Sequence, residues 1–266
     1  MAGTQFEEEG IAWGVQDGIG RIVLKRPERA NSVSLASSHA LARAIDEVLE
    51  AAPRAILLTG EGRVFCAGGD IDSFVAAGDK LPELVDAILD RLHPALLRLA
   101  QNPAPLVVAV NGTVGGAGVG LALCGDFVLA TESMKLRTGY AAIGLSPDAG
   151  SSYFLSRRIG PVRAQQWLML SDPIDSARCL AAGAVDALYP DAELAAAAEA
   201  LVTRLANGAT ASFAGIKALC GGATARPIEE HFEMEHRLLR RRAGSADGRE
   251  GVKAFTEKRA PRFSGR

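Results

Sequence analysis

The sequence predicts an α/β fold built as one large domain with a helical carboxy-terminal appendage. Three observations predict it. Short β-rich runs alternate with stretches of helical apolar spacing along the first two thirds of the chain. Several of these runs end in glycine, as strands do when they enter a tight turn. From Ala192 onward the periodicity is almost wholly helical. A length of 266 residues accommodates a core at 1–205 and an appendage at 206–266.

The elements follow in order. "IAWGVQDGIGRIVLKRP" holds two β-rich runs around Asp17 and Gly18, a pair suited to a hairpin turn. Leu35, Leu41, Ala42, Ile45, Val48 and Leu49 recur at helical spacing, so a helix spans Ser34 to Leu49. "AILLTG" reads as a short buried strand, and "RVFCAGGDI" as its continuation into a second glycine turn, with a helix starting near Asp70. A helix over 81–100 precedes the strand "VVAV", a short helix from Ala117 to Leu123 and the strand "DFVLAT". Beyond them, "AELAAAAEAL" has the propensity of a surface helix, and helix breaks fall near Asn207-Gly208, Gly221-Gly222 and Gly244. No sequence repeat is visible.

Composition excludes several functions. Basic and acidic residues number 29 and 31, so no charge excess calls for nucleic acid or an anionic membrane, and a small-molecule partner is expected. Leu99 to Gly125 is uncharged and long enough to span a bilayer, but two prolines, Gln101, Asn102, Asn111 and the glycines break it into strand, turn and helix. Cysteines 66, 124, 179 and 220 have neither CxxC spacing nor the density of a disulfide framework, which favours reduced thiols. "MAGTQFEEEG" is acidic where a secretory signal would be basic. A cytoplasmic location is the expectation.

The stretch "NGTVGGAGVGLALCGD" follows an apolar strand. Gly116, Gly118 and Gly120 form GxGxG, not the GxGxxG of a dinucleotide site, and GxxxxGK[ST] is absent. What remains is a strand entering a helix whose first N–H groups lack internal partners and attract negative oxygen. "CAGGD" at 66–70 has the same construction. Two such turns face to face would offer two amide donors to one oxyanion; each alone reads as a packing turn. His231 and His236 lie five apart, on different helix faces, and neither HExxH nor GxSxG occurs.

"LKRPERANSVS", "FCAGGDI", "PLVVAVNGTVGGAGVGLALCGDFVLA", "IGLSPDAGSSYFLSRRIG" and "GREGVKAFTEKRAPRF" occur in that order and together resemble the enoyl-CoA hydratase/isomerase, or crotonase, family. The resemblance implies a spiral of repeated ββα units, with 1–205 catalytic and CoA-binding. It implies that 206–266 builds a homotrimer or a dimer of trimers and adds CoA contacts. The substrate would be an acyl-CoA, with no cofactor beyond its CoA moiety. The thioester carbonyl would lie between the N–H groups of Gly69 and Ala117, where many relatives have a glycine as the second donor.

Hydratases of the family hold water between two glutamates, whose positions here are Gly120 and Tyr140. The carboxylate present instead is Asp148 in "SPDAG". On its own it reads as a helix N-cap; the resemblance makes it the proton shuttle of an enoyl-CoA isomerase. Two alternatives are a hydratase with atypical residues and a non-catalytic acyl-CoA-binding protein. A dehalogenase-like use of Asp148 as nucleophile, with His93, ranks below both. Among Lys25, Arg26 and Arg29, the resemblance places Arg26 and Arg29 at the CoA phosphates, and Phe255 and Lys258 near the adenine end. Phe74, Leu81, Leu84, Val85, Ile88 and Leu89 would cover the acyl group.

Overall fold

The computed structural model describes residues 5–265; the first four residues of the acidic amino-terminal stretch lie outside them. The chain opens with β1 (Gln5–Glu8), β2 (Ile11–Gln16) and β3 (Ile19–Leu24), an antiparallel ribbon. Asp17 and Gly18 make the expected hairpin turn with φ of 53° and 75°. Helix α1 (Leu35–Glu50) starts at Ser34, whose hydroxyl accepts the Ser37 N–H while the Ser37 hydroxyl accepts that of Ser34. This reciprocal cap satisfies two otherwise orphaned donors.

One unit then recurs: a strand in a large sheet, a short strand in a second sheet, and a helix. Its copies are β4 (Ala55–Gly60), β5 (Val64–Cys66) and α2 (Ile71–Ala77) with α3 (Leu81–Gln101); β6 (Leu106–Val110), β7 (Thr113–Gly115) and α4 (Ala117–Leu123); and β8 (Phe127–Thr131), β9 (Lys135–Arg137) and α5 (Ser151–Ile159) with α6 (Pro161–Leu170). β10 (Ile174–Asp175), α7 (Ser176–Ala182) and β11 (Ala187–Tyr189) complete the sheets. Strand order is β1-β2-β3-β4-β6-β8-β11 in the large sheet and β10-β9-β7-β5 in the small one, with β4, β6 and β8 parallel and β5, β7 and β9 parallel. The helices α8 (Leu194–Ala206), α9 (Thr210–Gly222), α10 (Ile228–Ala243) and α11 (Ala246–Thr256) follow.

Two sequence expectations change. β5 does not continue β4. The chain turns at Gly62 (φ 81°) and enters the other sheet, and the turn folds back so closely that a side chain at Gly60 would press on the Phe65 carbonyl at 3.0 Å. The alanine-rich helix α8 is not merely a surface element. Leu194, Ala198, Val202 and Leu205 bury against Ile19, Leu57, Val107 and Leu129 on the underside of the large sheet. The main core lies on the other face, where α1 and α3 cover Ile22, Ile56, Leu58 and Val108. The uncharged stretch after Leu99 becomes β6, β7 and the wholly buried α4, and no helix of the described residues is long and apolar enough to cross a membrane.

Candidate active site

The two glycine turns meet. β5 and β7 are adjacent parallel strands, so the segments leaving their carboxy-terminal ends run side by side. A β-carbon on Gly68 would stand 3.0 Å from the Gly116 Cα and 3.3 Å from the Ala117 nitrogen; one on Gly116 would stand 4.0 Å from the Gly69 nitrogen. Gly68 and Gly116 have φ of 100° and 45°, conformations that side chains disfavour. Gly69 is fixed from the other side by a bridge to Val33, in which the Val33 N–H donates to the Gly68 carbonyl and the Asp70 N–H to the Val33 carbonyl. Among the described residues neither the Gly69 nor the Ala117 N–H has a protein acceptor.

Sequence reading missed what aligns the first turn. Buried Asn31, with φ 51°, donates through its amide nitrogen to the carbonyls of Glu61 and Val64 at 3.0 and 2.8 Å and accepts the Arg26 N–H at 2.7 Å. The signal in sequence was an asparagine inside "RANS", a residue type that tolerates positive φ and can bond backbone groups on both sides. Asp70, directly after Gly69, caps α2 through the Ser73 N–H at 3.1 Å. Burial pushes its carboxyl up, but the Ser73 N–H and hydroxyl, the Ser32 hydroxyl and Arg29 outweigh this and hold it below its ordinary value.

Asp148 is half-buried, and its side chain does not cap α5, whose N-cap is Gly150. Its Oδ1 accepts the Tyr140 hydroxyl at 2.6 Å instead. Burial raises its pKa; the Tyr140 hydrogen bond and then His93 oppose the rise without cancelling it. His93, in the middle of α3, reaches the same loop, where its Nε2 accepts the Ala149 N–H at 3.2 Å. Burial, then the Asp148 charge, keeps the Tyr140 phenol protonated. Tyr140 also lies 2.9 Å from the Ser151 hydroxyl, which donates to the Gly116 carbonyl at 3.3 Å and accepts the Gly120 N–H at 3.1 Å. Asp148 is thereby linked by hydrogen bonds to the peptide that carries the Ala117 N–H.

The two positions at which the resemblance expects the glutamates of a hydratase, Gly120 and Tyr140, carry no carboxylate. A β-carbon on Gly120 would overlap the Ala149 carbonyl oxygen, so α4 and α5 can approach this closely only with glycine there. At the other position stands the Tyr140 phenol.

The remaining expected site residues divide into two groups. Arg26 and Arg29 flank the Gly69 turn, with nitrogens 3.8 and 3.4 Å from Asp70; side-chain exposure is 19% for Arg26 and 45% for Arg29. Arg29, which also reaches Asp72 at 2.9 Å, is the more accessible cation, while Lys25 pairs with Glu7. Phe255 and Lys258 are not brought to this site within the chain. The tail after α11 is tied to the amino-terminal end of β4, the central strand of the large sheet, where Arg54 donates to the carbonyls of Gly208 and Phe263. Phe255 itself is 86% exposed. In the acyl-covering segment, Phe74 places its ring 2.6 Å from where a Gly69 β-carbon would stand. Ile88, Leu84 and Leu89 pack into the main core instead of lining open space.

Paired glycine turns on adjacent ββα units, with an acidic loop beside them, are the arrangement that the resemblance to the enoyl-CoA hydratase/isomerase family implies, and the comparisons show that family and fold. The enoyl-CoA hydratase/isomerase family model matches residues 14–266, and the chain belongs to that family. The probable enoyl-CoA hydratase of Rhodobacter capsulatus is 35% identical over 96% of this chain and 98% of its own. The 1,2-epoxyphenylacetyl-CoA isomerase of Escherichia coli K12 is 35% identical over 95% of this chain and 97% of its own. The crystal structure of an enoyl-CoA hydratase from Polaromonas sp. JS666 superposes with a TM-score of 0.88 at 29% identity, covering 95% of this chain and 99% of that one.

Proposed function

We propose that this chain is an enoyl-CoA isomerase that moves a double bond by a proton shuttle on Asp148. The observation that carries the reading is Asp148 in the loop beside the paired turns, with Gly120 and Tyr140 where the family's hydratases would hold glutamates; the other nearby carboxylate, Asp70, is taken up by Ser32, Ser73 and Arg29. The thioester carbonyl would accept from the Gly69 and Ala117 N–H groups. A thioester oxygen is a modest acceptor and a dienolate oxygen a strong one, so fixed donors favour the intermediate over the ground state. Each such donor lowers a barrier by roughly 3 to 4 kcal/mol.

With the carbonyl held, ionised Asp148 takes a proton from the carbon next to it and returns the proton two carbons further along, on the same face of the chain. Burial raises the basicity of the carboxylate, which brings it closer to the acidity of an activated C–H bond. Arg29, with Arg26 behind it, would meet a CoA phosphate at the mouth. Phe255 and Lys258 would serve a neighbouring subunit of a homotrimer, since the tail that follows them is held at the amino-terminal end of β4.

The test is conversion of a 3-enoyl-CoA to its 2-enoyl isomer by the purified protein. Asp148→Asn is expected to lower kcat by about 100- to 10,000-fold; a variant with full activity overturns the assignment. One observation favours a second reading: the Rhodobacter relative is named a probable hydratase. Rapid hydration of crotonyl-CoA would install that reading in place of the first, and tight acyl-CoA binding with no turnover across a thioester panel would leave a binding protein.

A further inference from the structure

Ser151 is fully buried at the end of a run of hydroxyls that begins at the Asp148 carboxylate. Its Oγ lies between the Gly116 carbonyl and the Gly120 N–H, the two groups that face each other across the first turn of α4. The Gly116 carbonyl and the Ala117 N–H are the two ends of one peptide group. A hydrogen bond given to the carbonyl end draws electron density through that group and makes its N–H a stronger donor. We propose that Tyr140 and Ser151 form a hydroxyl relay that couples the proton carried by Asp148 to the donor strength of the Ala117 amide. This inference rests on the isomerase reading of Asp148.

The hydroxyl inventory sets how the relay works. Tyr140 and Ser151 have one proton each. While Asp148 is ionised, Tyr140 gives its proton to Oδ1, because a charged acceptor forms the stronger bond. The phenol oxygen then competes with the Gly116 carbonyl for the Ser151 proton. Once Asp148 has taken the substrate proton, it is a neutral and weaker acceptor, and Tyr140 can turn its hydroxyl to Ser151. Ser151 already accepts the Gly120 N–H, so its own proton is directed to Gly116. The Ala117 amide is therefore strongest when the dienolate is present. Only a C–H bond breaks and an O–H bond forms on Asp148, with the electron pair passing into the dienolate; the relay itself consists of hydroxyl rotations. Tyr140 and Ser151 are positioning residues, since neither is placed against the substrate.

Three titratable groups face Asp148: Tyr140, His93 of α3, and Cys66 of β5, whose buried thiol is pushed up to about 12. Of these, Tyr140 alone hydrogen-bonds to the carboxylate and alone connects it to Ser151.

The experiment is a double-mutant cycle of Tyr140→Phe and Ser151→Ala on 3-enoyl-CoA isomerisation, with Asp148→Asn as control. Each single variant is expected to lose about tenfold in kcat with little change in KM. The double variant should fall within about threefold of the weaker single one, because both changes cut one path. Tyr140→Phe also removes a donor from the carboxylate and should move the acid limb of the kcat/KM profile to higher pH by about one unit. Infrared spectra of bound hexanoyl-CoA should show the thioester carbonyl stretch at higher frequency in Ser151→Ala than in the native protein. Losses that multiply in the double variant, or an unmoved carbonyl stretch, overturn the relay. Should Ser151→Ala fail to fold, with the Gly120 N–H left unpaired, the carbonyl stretch of Tyr140→Phe decides the question: without the competing phenol oxygen the Ser151 proton stays on Gly116, so the stretch is expected at lower frequency than in the native protein, and an unmoved stretch overturns the relay. Loss of activity in Asp148→Asn together with multiplying losses would sink the relay alone; an active Asp148→Asn variant would sink the isomerase reading itself.

Discussion

Asp148 shows how one side chain can trade stability for chemistry. Burial raises its carboxyl, so between the ordinary carboxylate range and its native value the folded chain keeps a proton that the unfolded chain has released. Stability therefore falls as pH rises through that window, and on the proposed mechanism, which uses the ionised form, isomerase activity is expected to rise through the same window. Asp148→Asn removes the buried charge while keeping an acceptor for Tyr140, so it is expected to melt at higher temperature than the native protein at neutral pH and to lack the stability step on acidification. Calorimetry across pH measures both. The sequence placed Asp148 correctly before α5 but left open whether it caps the helix; only the three-dimensional position of Tyr140, eight residues earlier, decides that its oxygen is occupied elsewhere. Ser151 was harder to single out, because a serine in a helix's first turn has a local explanation in almost every protein.

At the level of elements, the close contact of α4 and α5 is the feature most open to test. A methyl group at position 120 must displace the Ala149 backbone, whose φ of 47° already lies in an unfavourable region. Gly120→Ala is expected to cost about 3 kcal/mol in denaturant unfolding, at the upper end of ordinary overpacking. Gly120→Glu should lower the folded yield further and confer no crotonyl-CoA hydration, even when Tyr140 is also replaced by glutamate. Elements with strong local signals were legible in sequence: the Asp17-Gly18 hairpin, α1 with its serine cap, and α4 from Ala117 to Leu123 match the structure. The change of sheet between β4 and β5 was not, because alternation and β-propensity describe a strand's faces and say nothing about which sheet it joins.

For the whole molecule, the carboxy-terminal helices present an unfinished surface. Ile228, Phe232 and Leu239 form one stripe on α10, each more than half exposed, and no residue of that helix is buried. Exposed apolar stripes of this kind mark contact surfaces. Light scattering after size exclusion is expected to give a trimer or hexamer mass, and Phe232→Asp with Leu239→Asp to give monomers that retain their helical circular dichroism. The sequence predicted the overall class because alternating strands and helices leave few architectures open. The repeat behind it stayed invisible, since the ββα units share hydrogen-bonding topology and not residues. That topology has a consequence for what the scaffold can become. The two amides stand at the ends of neighbouring parallel strands, and ladder geometry fixes such strands about 4.8 Å apart whatever side chains they bear. The distance between the two amides is thus set by main chain, and side-chain changes that leave β5 and β7 paired should leave that spacing intact.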